Sequence, residues 1–157
     1  MQKPNLWIGL GCQQGSSRQL IATAIQEVFQ ANQLAESAIA GIATIDQKAR
    51  EVGLIELCQL QNWPLKIFTA EMLSTVSVPN PSKIAEQALR TPSVAEAAAI
   101  LAVLQINQQE LKMSLSQTHF ALPQPLLPKL LVTKQIFRLP GELKAVTLAV
   151  ACSTKLF

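Results

Sequence analysis

The chain has 157 residues, 49% hydrophobic and only 15% charged, with a mean hydropathy of +0.26. Such a composition excludes a disordered chain and gives one domain large enough to close its own core. A net charge of +3, scattered along the chain, excludes the basic patch of a nucleic-acid binder. No apolar run approaches the roughly 20 residues of a membrane span, so no membrane partner is expected.

The N-terminal residues lack the pattern of a signal peptide, which places the expected location in the cytoplasm. Cys12, Cys58 and Cys152 are widely spaced without a C-x-x-C pair, and His119 is the lone histidine. Reduced thiols and no metal are therefore expected.

In chain order, residues 6–10 read as a buried strand running into Gly9-Leu10-Gly11-Cys12-Gln13-Gln14-Gly15. Ser16 with Gln19 has the spacing of a capping box. Leu20/Ile21, Ala24/Ile25 and Val28/Phe29 form one apolar stripe of a first helix. Residues 37–45 read as a second strand, and Asp46 is expected to cap a second helix reaching about Gln61, before Trp63-Pro64. Residues 65–68 are a short third strand and 69–73 a turn of helix. Two prolines stiffen Val78-Pro79-Asn80-Pro81-Ser82; Asn80 caps a helix to about residue 89, with Pro81 at its first position. Thr91-Pro92-Ser93 opens another helix, Ala-rich over 95–102, whose small side chains let a neighbour approach closely.

Residues 105–129, rich in glutamine and proline, are expected to form an exposed insertion. Residues 130–137 and 145–152 are β-rich and joined through Leu139-Pro140-Gly141-Glu142, where Pro and Gly stand in the order of a type II turn. An α/β fold follows: three α/β/α layers, a mixed sheet and a C-terminal antiparallel hairpin, in a single domain over 1–157.

Two clusters carry chemistry. The first is the glycine turn: amide groups opening the first helix are expected to be unpaired and at the positive end of its dipole, an anion cradle. Its spacing, G-x-G-x-x-x-G, is one residue longer than the dinucleotide fingerprint, and Glu36 stands nearest the ribose-binding offset. A nicotinamide site, a turn that needs glycine only for its shape, and a carboxylate or phosphate site all remain open. Cys12 could become nucleophilic in such a turn, but no histidine lies nearby in sequence; a small side chain in a tight turn explains it better.

The second cluster is Asp46, Lys48 and Glu51. Lys48 is placed in the first turn of the second helix, where the dipole disfavours a cation, so a bound carboxylate would explain it; a solvated lysine held by Asp46 or Glu51 is the alternative. If the first two strands are parallel, both clusters lie at their carboxyl ends. Ser82 and Lys83 open a helix after two prolines, either a further anion position or, for Ser82, simply a first-turn residue. Glu96 stands three residues after Ser93 and completes a capping box.

The order of these motifs resembles one family, the C-terminal domain of CbiG together with the stand-alone CobE, proteins of cobalamin (vitamin B12) biosynthesis. Gly9-x-Gly11-Cys12-x-x-Gly15-x-Ser17 is similar to its opening. Ala43-Thr44-Ile45-Asp46-x-Lys48-x-x-Glu51-x-Gly53-Leu54 is the most specific stretch. Phe68 with Leu73, Val78-Pro79-Asn80-Pro81-Ser82 and Ser93-Val94-Ala95-Glu96-Ala97-Ala98 continue the order, and 131–134 with 146–151 match the closing hairpin. Gln13 and Gln14 depart from it: the family usually carries arginine there.

The resemblance implies a corrin-ring (tetrapyrrole) intermediate as ligand, other cobalamin biosynthesis enzymes as partners, and no cofactor. Two functions are expected from different classes. One is a module that binds or hands over the corrin. The other is a catalytic part of a cobalt-precorrin-5A hydrolase, which opens a lactone and releases acetaldehyde. For catalysis the candidates are Asp46 or Glu51 as base and Lys48 as stabiliser of negative charge. For ligand binding they are Gly11, Cys12, Gln13, Gly15, Ser16, Ser17, Thr44, Ser82 and Glu96. Nucleotide binding is a third, weaker expectation.

Overall fold

The structure, a computed structural model, describes residues 4–48, 50–75, 94–115, 128–141 and 143–153, and side chains there except those of 106–115, 128 and 153. The expected helix over 80–89, Ser82 and the Ser93 cap lie outside the described residues. The elements are β1 (Leu6–Cys12), α1 (Arg18–Ala31), β2 (Ile39–Ile45), α2 (Val52–Gln61), β3 (Leu65–Phe68), α3 (Ala70–Ser74), α4 (Val94–Leu115), β4 (Pro128–Arg138) and β5 (Ala145–Ser153). They build one five-stranded sheet in the order β3-β2-β1-β5-β4. β1, β2 and β3 run parallel, while β5 is antiparallel to both β1 and β4. This is the expected mixed sheet with its terminal hairpin, and Gly141 takes the φ of 83° that a type II turn requires at its third position.

Strand alternation sends each residue set to its own layer. Leu6, Ile8, Leu10 and Cys12 of β1 pack with Ile42, Leu148 and Val150 against α1 and α2. The stripe read from the sequence, Leu20, Ile21, Ala24, Ile25, Val28 and Phe29, is the buried face of α1. Each such Leu, Ile or Phe side chain contributes about 2 kcal/mol of hydrophobic burial. On the other face Trp7, Ala43, Ile45 and Ala151 meet Ala97, Ala98, Ala99, Ala102 and Val103 of α4, with Phe68 and Leu73 beside them. The alanines bring the α4 backbone down onto β1, where a Cβ on Gly9 would overlap Ala95 O.

Four expectations on local structure change. Ser17, not Ser16, caps α1, its Oγ accepting the Leu20 amide at 3.0 Å. Ser16 instead turns inward and donates to Gln13 O at 2.7 Å. Gly9 and Gly11 belong to β1, so the turn proper holds Gly15 alone of the three. α2 does not start at Asp46: Asp46–Lys48 is a separate 3₁₀ turn, and α2 opens only at Val52. Lys48 therefore never sits in the first turn of an α-helix, and the dipole argument for its placement falls. Finally, α4 does not stop near residue 105 but continues to Leu115, and β4 begins at Pro128. Glutamine is a good helix former, so a polar stretch without proline extends the helix as far as local propensity allows.

Candidate functional site

β1 and β2 are parallel, so the segments that leave their carboxyl ends share one edge of the sheet. The segment after β1 carries residues 13–17, and the segment after β2 carries Asp46, Lys48 and Glu51. They meet directly: the Gly15 amide donates to Glu51 Oε2 at 3.0 Å. Behind this bond the two helix openings touch. A Cβ on Gly53 would lie 2.5 Å from Ser16 O and 2.7 Å from Arg18 N, so α2 can start there only with a bare Cα. The salt bridge Arg18–Glu56, 3.6 Å between exposed groups, continues the α1–α2 contact outward and adds little to stability.

These contacts change what the turn offers a ligand. The expectation of unpaired amides at the head of α1 gives way to a turn that is largely self-satisfied. Glu51 takes Gly15 N–H, Gln13 O takes Ser16 N–H at 3.1 Å, Ser17 Oγ takes Leu20 N–H, and Gly53 covers Arg18. The dipole does find a negative partner, but it is the chain's own carboxylate.

The remaining candidates fall into two groups. Asp46 is exposed, while Lys48 and Glu51 are half-buried, and all three stand at this edge. Thr44 and Ser16 are buried, and the hydroxyl proton of each goes to backbone: Thr44 Oγ1 donates to Leu10 O at 2.6 Å. Gly11 is a ladder residue opposite Thr147. Gln13 ties the turn to β5, its Oε1 accepting the Ala145 amide at 3.0 Å and its own amide donating to Ala145 O at 3.4 Å. Glu96 is fully buried beneath the sheet, and its Oε2 accepts the Lys134 amide of β4 at 2.9 Å; the capping box expected with Ser93 lies outside the described residues.

Cys12 ends β1 and belongs to the core, only 8% exposed. Burial pushes its thiol up from 9.0 to about 11; the Lys48 ammonium pulls against this, the Glu51 carboxylate adds to it, and the hydrogen bond with Ser16 lowers it. The thiol thus stays protonated at neutral pH, the opposite of an activated nucleophile. Cys58, raised by burial alone, also reaches about 11.

A stability consequence follows. The folded chain holds these two protons more tightly than the unfolded one, so their contribution is full below pH 9.0 and lost as pH climbs through about 11. Urea midpoints measured across that range should fall with pH, and the Cys12→Ala/Cys58→Ala variant should fall less steeply.

One residue at this edge escaped the sequence reading. Because Cys12 pairs with Val146, the start of β5 lies beside the end of β1, and Lys144 just before it places Nζ against Gly15. No local pattern could reveal this; the bond that fixes it spans 132 positions. A shallow apolar groove of about 500 Å³, lined by Ile55, Cys58, Trp63 and Leu65 among others, lies at the opposite edge, where β3 begins. Among the described residues no group of three or more His, Cys, Asp or Glu is placed to hold a metal. Among them also, no helix is long and apolar enough to cross a membrane.

Known proteins give the fold its context. A CobE structure, from the cobalamin (vitamin B12) biosynthetic pathway, superposes with a TM-score of 0.73 at 22% identity, covering 97% of this chain and 94% of that one. The cobalamin biosynthesis protein chiG from Agrobacterium tumefaciens str. C58 superposes with a TM-score of 0.60 at 22% identity, covering 96% and 99%. The cobalt-precorrin-5A hydrolase of Priestia megaterium is 29% identical over 96 residues, which is 61% of this chain and 26% of that protein. The chain thus spans about a quarter of the curated relative it matches. The model of the family described as "Cobalamin synthesis G C-terminus" matches residues 6–151. On that match, which runs from the first residue of β1 nearly to the end of β5, the chain belongs to the cobalamin synthesis G C-terminal family.

Proposed function

We propose that the chain binds a corrin-ring intermediate of cobalamin biosynthesis at the carboxyl edge of β1 and β2, gripping the acidic arms of the ring. The observation that carries this reading is the Gly15–Glu51 hydrogen bond, which joins the two segments richest in family motifs into one polar surface. Lys48 stands beside it, close enough for its charge to act on the Cys12 thiol. An ammonium at a half-buried position recognises a carboxylate with modest strength, and several such contacts around one ring add up to affinity. Titrating the purified chain with cobyrinic acid, followed by the visible spectrum of the corrin, tests it. Saturable binding at micromolar ligand, weakened by Lys48→Ala, is expected; an unchanged spectrum at high micromolar ligand contradicts it.

The name of the Priestia megaterium relative favours a second reading, catalysis of lactone opening. Hydrolysis adds water across the ester: a base takes a proton from the attacking water, and the acyl–oxygen bond breaks to leave a carboxylate and an alcohol. Loss of the alcohol proton then lets its carbon–carbon bond to the ring break, releasing acetaldehyde while the ring carbon takes the electron pair and a proton. Glu51, anchored through one oxygen on Gly15, or the exposed Asp46 would be that base, and Lys48 would stabilise the oxyanion. Incubation with cobalt-precorrin-5A and detection of acetaldehyde by mass spectrometry decides between the two. Release above the Lys48→Ala control supports catalysis, and none above it leaves the binding module.

A further inference from the structure

We propose that the β4–β5 hairpin tip, Leu143 and Lys144, forms a second wall of the ligand site, with Lys144 as the residue that selects free carboxylates over amides. The inference rests on the binding site proposed above and adds to it a segment far away in sequence. Three observations carry it.

First, Lys144 is held at this edge rather than merely near it. The next residue, Ala145, exchanges two hydrogen bonds with Gln13, and Val146 pairs with Cys12. Its ammonium rests so close to Gly15 that any Cβ there would strike Nζ.

Second, the turn beneath it has little of its own to give an anion. Residues 13–17 contain no cation, and the Gly15 amide is already taken by Glu51. Lys144 brings in from the hairpin the positive charge that Gln13 and Gln14 do not supply. The single ion pair among the described residues is Arg18–Glu56, so neither Lys144 nor Lys48 lies within salt-bridge distance of a described carboxylate.

Third, apolar side chains adjoin the charged ones. Leu143 is 91% exposed next to Lys144, and Val52 is 65% exposed next to Glu51. A lone exposed aliphatic residue is ordinary, but one flanking each charged group at the same edge matches a macrocycle with apolar faces and an acidic rim.

The test compares cobyrinic acid, whose arms are carboxylates, with cobinamide, whose arms are amides, by spectral titration of wild type, Lys144→Gln, Lys144→Glu and the control Lys129→Gln. For an exposed charge pair, Lys144→Gln should weaken the acid about fivefold and leave cobinamide unchanged. Lys144→Glu should weaken the acid further, Lys129→Gln should bind as wild type, and added salt should reduce wild-type affinity more steeply than that of Lys144→Gln. Should Lys144→Glu fail to fold, the Gln variant and the salt series decide. Wild-type binding that neither Lys144 variant alters overturns this proposal while the site at Lys48 stands. Equal losses for acid and amide overturn charge selection in favour of a packing role. A wild-type chain that binds neither corrinoid overturns the binding site and this inference together.

Discussion

Gly9→Ala should destabilise the chain by about 3 kcal/mol or more, because a methyl group there has no side chain to push aside. Its Cβ would overlap Ala95 O, and would come within 2.7 Å of Ala95 C and 2.8 Å of Ala99 N, all backbone of α4. Relief requires the whole helix to lift from β1. That would loosen the contacts of Ala97, Ala98, Ala99 and Ala102, which are fully buried. Alanine side chains are too short to bridge the gap, so the loss is spread along the interface rather than absorbed locally. A calorimetric melting temperature lower by about 10 °C is expected for a chain of this size. A midpoint within a degree of wild type would show that α4 is not seated where described.

Glu96→Ala should cost about 3 kcal/mol, while Glu96→Gln should cost about 1 kcal/mol. The pairing of β4 with β5 shifts register between Leu130 and Val132 and again between Val132 and Gln135. Such irregularity removes amides from the ladder, and Lys134 N–H, inside the second shift, goes to Glu96 Oε2 instead. Alanine would remove that acceptor and open a void beneath the sheet; glutamine keeps an oxygen and the shape. Urea denaturation measures the two costs, and hydrogen exchange at the Lys134 amide locates them. Protection should be lost with alanine and retained with glutamine. Equal stability of both variants would contradict a structural role for this carboxyl group.

The hydrophobic periods made most of the architecture legible. The stripe of α1 and the alternation of β1 both describe the buried faces observed, because burial sets those periods directly. The hairpin was legible from Pro140 and Gly141, whose backbone preferences act within one turn. Cap positions were less so. Ser16 and Ser17 are equivalent to local propensity, and only the inward pull of Gln13 O on Ser16 decides between them. The start of α2 was misplaced for a similar reason. Asp46 is a good capping residue, but Gly53 must sit against Ser16 and Arg18, and that tertiary contact delays the helix to Val52.

At the site, the sequence brought residues 11–17 and 44–51 to one edge by topology alone, as the parallel pairing of β1 and β2 requires. It did not reveal that Glu51 occupies the Gly15 amide, nor that Lys144 joins them, since both depend on contacts between distant segments. Glu96 is a similar case. The hydrogen bond its carboxyl oxygen accepts from Lys134 arises at a bulge of β4 that no local pattern announces.

Backbone amide shifts from ¹⁵N-labelled protein titrated with cobyrinic acid would locate the ligand most directly. Saturating shifts at Gly15, Lys48, Glu51 and Lys144, with Asn62 and Trp63 unmoved, are the result expected of a site at the carboxyl ends of β1 and β2. Shifts gathered instead around Ile55, Cys58 and Trp63, or a spectrum that ligand leaves unchanged, would contradict it.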